Sequence, residues 1–460
     1  MLRFFNSLGR EKQTFKPINP KRVTGYFCGP TVYDTPHLGN IRAAVVADMV
    51  YRVLAVTYGL DNVVFVKNIT DIDDKIITRA LELGVDINVL TEETVQNYHR
   101  AERALNILPP TVEPFATDHV PDMITMIEIL VAKNHAYVSN GHVYFAINSA
   151  PFHGLLSGQD SAERRAGERI EISPNKRNPA DFVLWKPSDA GLPGWDSPWG
   201  FGRPGWHIEC SAMIRKHLGE TIDIHGGGED LIFPHHENER TQSECTHGGV
   251  ELANYWLHNG MVLHDGRKMS KSLGNFVTVD DALARYPGEA VRMLILLTHY
   301  RKPLDFSWAR LADAKAIMDK FYRALQDVWE FEYRGTAEVR EYPAHVLEKL
   351  EDDLNTSEAV QVVHMMADNA LNAQNAKEKA RLKLNLIGAG KLLGILQMTP
   401  DEWFHQGFDD VEQIDALIAK RNEHRAAKEW VQSDQIRNDL AQRGIYLEDK
   451  PDKTIWRGMK

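Results

Sequence analysis

The sequence predicts an α/β protein: a parallel sheet interrupted by an insertion, then a helical bundle, then a small α+β module. Three observations carry this. Strand, helix, strand and helix patterns follow one another between Val23 and Gly84, the opening of a parallel sheet. A further strand pattern at 221–225 runs into three consecutive glycines. From 310 to 400 the periodicity is that of amphipathic helix, with Leu347, Leu350, Leu354, Leu384, Leu386, Leu392 and Leu393 as core candidates.

The first unit sets the pattern. Residues 23–27 are apolar strand formers, and Cys28-Gly29-Pro30 breaks them into a loop. Ile41, Ala44, Val45 and Met49 then recur at helical spacing, and Gly59 falls where a C-cap belongs. A strand, a loop and a helix N-terminus aim backbone N–H groups and the positive end of the helix dipole at the loop, which favours a phosphate there. His37-Leu38-Gly39-Asn40 lies at the mouth of that helix. Gly39 permits close approach, and His37 and Asn40 can donate to developing phosphate charge. A plain helix-start histidine with a capping Asn40 is the competing reading.

The second strand, 62–67, runs into Asn68-Ile69-Thr70-Asp71-Ile72-Asp73-Asp74-Lys75. Asp71 or Asp73 is expected to cap the helix that ends at Gly84 rather than to hold a metal. Helical periodicity over 91–108 stops at Pro109-Pro110 and resumes over 121–133. Strand-like 142–147 and 182–185, and a stretch rich in Gly, Pro and Trp at 187–204, mark an insertion over about 120–200, with the sheet domain returning at Gly205. Cys210 then heads a helix ending near Gly219. The glycines at 226–228 indicate a close ligand approach or a tight turn, and Pro234 suits the first position of the next helix. Past Pro400 a helix over 415–443 leads to a hairpin-like end carrying Trp456.

A chain of 460 residues with 43% hydrophobic content can bury several cores. No apolar run nears the roughly 18 residues a membrane span needs, and residues 1–15 lack the pattern of a secretory signal. Three cysteines are too few for a disulfide framework, so a reducing cytoplasm is expected. The net charge of -11 argues against a protein that coats nucleic acid. Residues 420–460 nevertheless carry ten Lys and Arg against seven Asp and Glu.

His235 and Glu239 are four apart, so a helix would project both from one face, and Cys28 and Cys210 would complete a set of two thiolates, one imidazole and one carboxylate. All four fall at helix starts or strand-to-helix turns, the edge where an α/β fold builds its site. Packing or exposure of each residue remains the alternative. Cys245 has no such placing and is read as structural.

The tetrapeptide His37 to Asn40 resembles the HIGH signature of class I aminoacyl-tRNA synthetases, with Leu38 and Asn40 in place of the commoner letters. Lys268-Met269-Ser270-Lys271-Ser272 matches the second signature, KMSKS. With Cys28, the run 205–213 and the run 225–239, these motifs resemble the cysteinyl-tRNA synthetase family over essentially the whole chain. The resemblance implies a Rossmann-type catalytic domain at 1–310, with the insertion and a KMSKS and stem-contact region at about 255–310. A helical bundle at 311–400 and an anticodon-binding module at 401–460 would follow. It also implies one Zn²⁺ on Cys28, Cys210, His235 and Glu239, and a cysteine pocket of Gly29, Thr31, Thr70, Trp206 and His225. ATP, with Mg²⁺, would meet Gly39, Gly228, Asp230 and Lys271, and His37, Asn40, Lys268 and Lys271 would stabilise the reacting phosphates.

The implied reaction joins cysteine to AMP and transfers it to tRNA(Cys) in a cytoplasmic monomer with no membrane partner. Arg425, Trp430, Asp434 and Asp449 match the family's anticodon readers, and a core-facing Trp430 is the alternative. Rival readings are a ligase of the same fold that joins cysteine to an amino-sugar, a non-catalytic zinc-containing RNA-binding protein, and a nucleotidyltransferase. The C-terminal module counts against the first, the two intact signatures against the second and the thiol-selecting metal set against the third.

Overall fold

The computed structural model describes residues 1–158, 174–269, 275–332, 342–450 and 453–458. The chain divides into two compact units. One comprises Met1–Lys315, Ala344–Val362 and Leu392–Ile395, and the other Ala316–Pro343, Val363–Lys391 and Leu396–Lys460.

In the first unit the apolar strands form one parallel sheet, in the order Ala253–Asn259, Ile222–Gly228, Val23–Phe27, Val63–Lys67. Nearly every residue in them is buried, as continuous apolar runs require when both faces are covered. Val23–Phe27, the first of these four along the chain, lies inside the sheet, with Val63–Lys67 on one side and Ile222–Gly228 on the other. Winding therefore reverses between Val23–Phe27 and Ile222–Gly228, and a crevice opens at their carboxyl ends. The glycines at 226–228 form no turn. They are the end of the strand, Gly226 pairing with both Phe27 and Leu257, and a Cβ on Gly226 would lie 2.3 Å from the Phe27 ring.

Between the second and third sheet strands the chain builds a separate antiparallel sheet, Ala136–Ser139, His142–Phe145, Phe182–Pro187 and Gly202–Pro204 in that order. Its last strand runs directly into the helix Trp206–His217. Gly205 is pressed so close that a Cβ there would sit 2.2 Å from the Val183 carbonyl oxygen. The insertion thereby fixes where Trp206 and Cys210 begin their helix.

Asp73 caps the helix Asp74–Leu83 through the Lys75 amide, whereas Asp71 accepts from the backbone and hydroxyl of Thr117. Pro234 does not open a regular helix. Phe233 has extended φ and ψ, so 232–236 is a distorted turn and the helix is Glu237–Thr246.

The helix Leu38–Tyr58 is bolted to the unit by a buried charge network. Asp48 accepts from Arg52 Nε at 2.8 Å, from the Leu108 amide at 2.9 Å and from Arg292 Nη2. Arg292, itself fully buried on the helix Gly288–Leu296, also donates to the Leu393 and Leu105 carbonyls. Burial would raise the Asp48 carboxyl, but the two guanidinium groups outweigh it and hold it below the usual carboxylate range.

In the second unit, Val411–Ala426 and Trp430–Gln442 pack on the hairpin Ile445–Asp449 and Thr454–Gly458 around Ile414, Ile418, Leu440, Ile445 and Trp456. The single helix expected over 415–443 is two helices, because Lys428 takes φ +63° and the Glu429 amide turns back to the His424 carbonyl.

Asp48→Ala leaves Arg292 buried with an uncompensated charge, a loss of about 3 to 5 kcal/mol. Urea unfolding of the intact chain should show the transition of the first unit shifted by that amount, against little change for the exposed control Arg79→Ala.

Candidate active site and metal centre

At the crevice, Cys28 follows the Val23–Phe27 strand and its amide donates to the Gly226 carbonyl, at 3.1 Å. The crevice opens into a cleft of about 320 Å³, of a size for a small molecule. Residues that immediately follow the four strands line it: Cys28 and Gly29, Asn68 and Thr70, Asp230, and Gly260 to Val262. Gly29 is required there, since a Cβ would sit 1.6 Å from the Asn68 carbonyl oxygen.

Cys28, Cys210, His235 and Glu239 converge, with one donor atom from each lying within 4.8 Å of the others. The sulfurs are 3.6 Å apart, Cys210 Sγ is 3.7 Å from His235 Nε2, and Glu239 Oε1 is 3.6 Å from Cys28 Sγ and 2.8 Å from His235 Nε2. Bonds of about 2.0 to 2.3 Å in a tetrahedron give donor separations of roughly 3.3 to 3.8 Å, so three of these four separations fit a zinc-sized ion. The electrostatics agree. Burial would raise the Cys210 thiol, yet hydrogen bonds from Cys28 and His235 bring it down to about 6. Burial alone would lower His235, but Glu239 and Cys210 lift it to about 10, and burial with Cys210 and Glu239 beside it pushes Cys28 up. A buried set of this composition calls for a cation.

Two other donor groups exist among the described residues. Cys28, His225, His236 and Glu239 overlap the first, but only Cys28 of these lines the cleft, whereas Cys28, Cys210 and His235 of the first set all do. His99, Glu102 and Glu113 surround Lys67, whose ammonium pairs with Glu102 and lies 3.9 Å from Glu113. That cluster already holds its cation.

The supporting groups were not foreseen. Trp206 stacks on His235 with ring centroids 4.0 Å apart, His207 Nδ1 lies 3.0 Å from His235 Nδ1, and His236 Nε2 lies 3.3 Å from Cys28 Sγ. His225, also expected in the cysteine pocket, is fully buried, its Nε2 2.9 Å from Glu239 Oε2. Gly29, Thr31, Thr70 and Trp206 do line the cleft.

His37 and Asn40 form a capping box at the start of Leu38–Tyr58. His37 Nδ1 accepts from the Gly39 and Asn40 amides and Asn40 Oδ1 accepts from the His37 amide. The cap is formed, and it leaves free the donors that the phosphate reading calls for. With Nδ1 accepting, the imidazole proton sits on Nε2, and with Oδ1 occupied, the Asn40 NH₂ remains to donate. Gly39, Asn40, Gly228 and Asp230 all line the same cleft.

Lys268 ends a short strand paired with Leu263. Ser270 to Ser272, including Lys271, lie outside the described residues. Met269 and Phe276, on either side of them, both line the cleft, and Val277 and Val279 pair with the backbone of Leu38 and Pro36.

The comparisons with known proteins follow this geometry. Residues 14–316 match the family model "tRNA synthetases class I (C) catalytic domain", 345–397 the DALR domain, and 410–457 the "Cysteinyl-tRNA ligase anticodon binding domain". The chain is 51% identical to the cysteine–tRNA ligase of Parvibaculum lavamentivorans, over 99% of this chain and 97% of that one, and 50% identical to that of Gluconobacter oxydans, over 99% and 98%. The chain belongs to the cysteine–tRNA ligase family. Its fold is also that of a Mycobacterium tuberculosis methionyl-tRNA synthetase, at TM-score 0.55 and 14% identity over 86% of this chain and 94% of that one. The LeuRS of Agrobacterium radiobacter K84 gives TM-score 0.58 at 11% identity over 86% of each. For a cysteine–tRNA ligase family member, the cleft and the C-terminal module are the two places where function should reside.

In that module, Arg421 is buried and grips Asp449 through two bonds of 2.8 and 2.9 Å, and Arg425 and Thr454 also hold the same carboxylate. Trp430 is 58% exposed, which overturns the core-facing reading; Ser433 and Leu440 face inward instead. Asp434 is exposed. Arg421 carried no sequence signal beyond being one arginine among several.

His37→Asn should separate the two uses of position 37, since Asn caps a helix well but presents no imidazole Nε2–H to the cleft. Thermal stability should be unchanged and the rate of adenylate formation should fall by roughly 10² to 10³. Burial lowers His37 below its ordinary 6.5, so the neutral form prevails at pH 7. The cap's contribution is complete above the unfolded value of about 6.5 and is lost as pH falls through the lower folded value. Activity should fall over that acid window in the wild type.

Proposed function

We propose that the cleft activates cysteine with ATP, selecting its thiol at a zinc ion held by Cys28, Cys210, His235 and Glu239, and then transfers it to tRNA(Cys). The observation that carries this reading is the convergence of those four donors at the cleft, three of them on its wall. A zinc ion there supplies Lewis acidity that favours a thiolate over an alcohol.

The chain's own residues do the rest by position and charge. The cysteine carboxylate attacks the α-phosphorus, pyrophosphate departs, and no enzyme side chain is consumed. The His37 Nε2–H, the Asn40 NH₂ and the N-terminus of the Leu38–Tyr58 helix face the phosphates, where preorganised donors are worth most. Lys268 and Lys271 join them, and Asp230 accepts from the ribose. Gly29, Thr31, Thr70 and Trp206 surround the amino acid, and His225 orients Glu239 from behind. Transfer follows when a terminal hydroxyl of the tRNA attacks the cysteinyl carbonyl and AMP leaves.

In the C-terminal module, Trp430, Asp434 and Arg425 face solvent, where unstacked RNA bases are read by stacking and hydrogen bonding. Asp449 is already committed to Arg421, Arg425 and Thr454 and serves to fix Arg425. The enzyme works as a monomer in the cytoplasm.

The deciding assay is AMP formation dependent on both cysteine and tRNA(Cys), with serine and an amino-sugar acceptor as controls. Serine should be rejected by roughly 10⁴ or more, the discrimination available to a polar contact that a near-isostere cannot reproduce. Elemental analysis should find one zinc per chain, and Cys210→Ser should lose the metal and the preference for cysteine together. Equal use of serine would sink the proposal. Separately, Arg425→Ala should weaken tRNA charging about tenfold or more, in line with a hydrogen-bonding guanidinium, while cysteine-dependent pyrophosphate exchange stays intact.

A further inference from the structure

Two residues past Asn40 on the same helix, Arg42 is 1% exposed, and among the described residues no carboxylate forms an ion pair with it. Its guanidinium instead donates to four backbone carbonyls. Nη1 reaches Gly260 at 2.6 Å and Met261 at 2.7 Å, and Nη2 reaches Tyr300 at 3.1 Å and also Lys302. Burying an arginine without a carboxylate in direct contact is costly, and a lysine could not reproduce four planar donors. Burial brings the group down to about 10, with Glu229 working the other way.

Two of these carbonyls, those of Gly260 and Met261, belong to a cleft wall. Gly260 and Met261 follow the edge strand Ala253–Asn259 and line the cleft with Asn259 and Val262. The same segment is also held by Glu229, whose Oε1 accepts from the Met261 amide at 3.0 Å, next to the cleft-lining Asp230. If the thiol sits at Cys28, Cys210 and His235 and the phosphates at His37 and Asn40, the wall left for the nucleoside is Asp230 with 260–262.

We propose that Arg42 is a positioning residue for ATP, one that locks the helix bearing His37 and Asn40 to the 260–261 wall so that phosphate donors and nucleoside wall keep one fixed separation. The idea rests on reading the cleft as the cysteine and ATP site. It assigns Arg42 no contact with substrate.

Cysteine-dependent pyrophosphate exchange on the full chain tests it, in wild type, Arg42→Lys and Arg42→Met, with rates divided by the active-site concentration from an adenylate burst. Arg42→Lys keeps the charge and most of the stem should the Met variant not fold. The expected result is a KM for ATP raised about tenfold or more in the folded variants, as for a misplacement of an ångström or so, with the KM for cysteine within about twofold of wild type. Unchanged KM values with only a smaller active fraction would make Arg42 a fold residue and overturn the proposal. Equal rises in both KM values, or failure of both variants to fold, would overturn it too. No exchange in wild type would instead defeat the functional reading on which it rests.

Discussion

The constraint on which the rest of the first unit depends is the burial of two thiols, an imidazole and a carboxylate in one place. Such a set repels itself when ionised and is expensive to dehydrate, so it persists only if separate elements deliver the four groups to a site that a cation can complete. Cys28 comes from the end of an inner strand, Cys210 from a helix that starts where the inserted sheet stops, and His235 and Glu239 from a distorted turn and the helix behind it. The insertion is thus part of the site's construction, because the approach of Gly205 to Val183 sets where Trp206 and Cys210 fall.

The helix Leu38–Tyr58 answers the same constraint from the other side of the cleft. Its first turn spends one face of His37 and Asn40 on closing the helix and leaves their remaining donors for a ligand. Its second turn carries Arg42 into the 260–261 wall, and further along Asp48, paired with Arg52, meets Arg292. A signature at the mouth of an anchored helix holds its geometry better than the same residues on a loop would. Preorganisation is what an electrostatic catalyst needs.

Much of this was legible in the chain. Short apolar runs ending in Gly, Pro and Cys gave the strands, their three- and four-residue periodicity the helices, and two short signatures the chemistry of the cleft. What was not legible depended on partners distant in sequence. The glycines at 226–228 read as a close ligand approach or a tight turn, and nothing local reports that Phe27 lies 2.3 Å from where a side chain on Gly226 would begin. That His225 would meet Glu239 was not legible, because the carboxylate reaches it only across a turn. Arg42 and Arg421 look like ordinary surface arginines until their carbonyl and carboxylate partners arrive from far along the chain. The break at Lys428 was hidden because a lysine seldom adopts a left-handed φ.

The helix Glu237–Thr246 shows why hydrophobic pattern alone misleads at such a site. Its residues are almost all polar, which would place it at the surface, yet every one is buried. Many of its polar groups are met. Glu237 accepts from the Ser157 amide, Gln242 donates to Ser211 and to the His207 carbonyl, Arg240 pairs with Glu244, and the Thr241 and Thr246 hydroxyls return to their own helix. An apolar helix would pack there at less cost. It could not, however, present Glu239 to His235 on one carboxylate oxygen and to His225 on the other while holding the backbone of His207, which in turn meets His235. The polar helix is therefore scaffold for a ligand set, and its departure from the usual inside-outside rule marks the place where the fold gives up packing economy for a single orientation of one carboxylate.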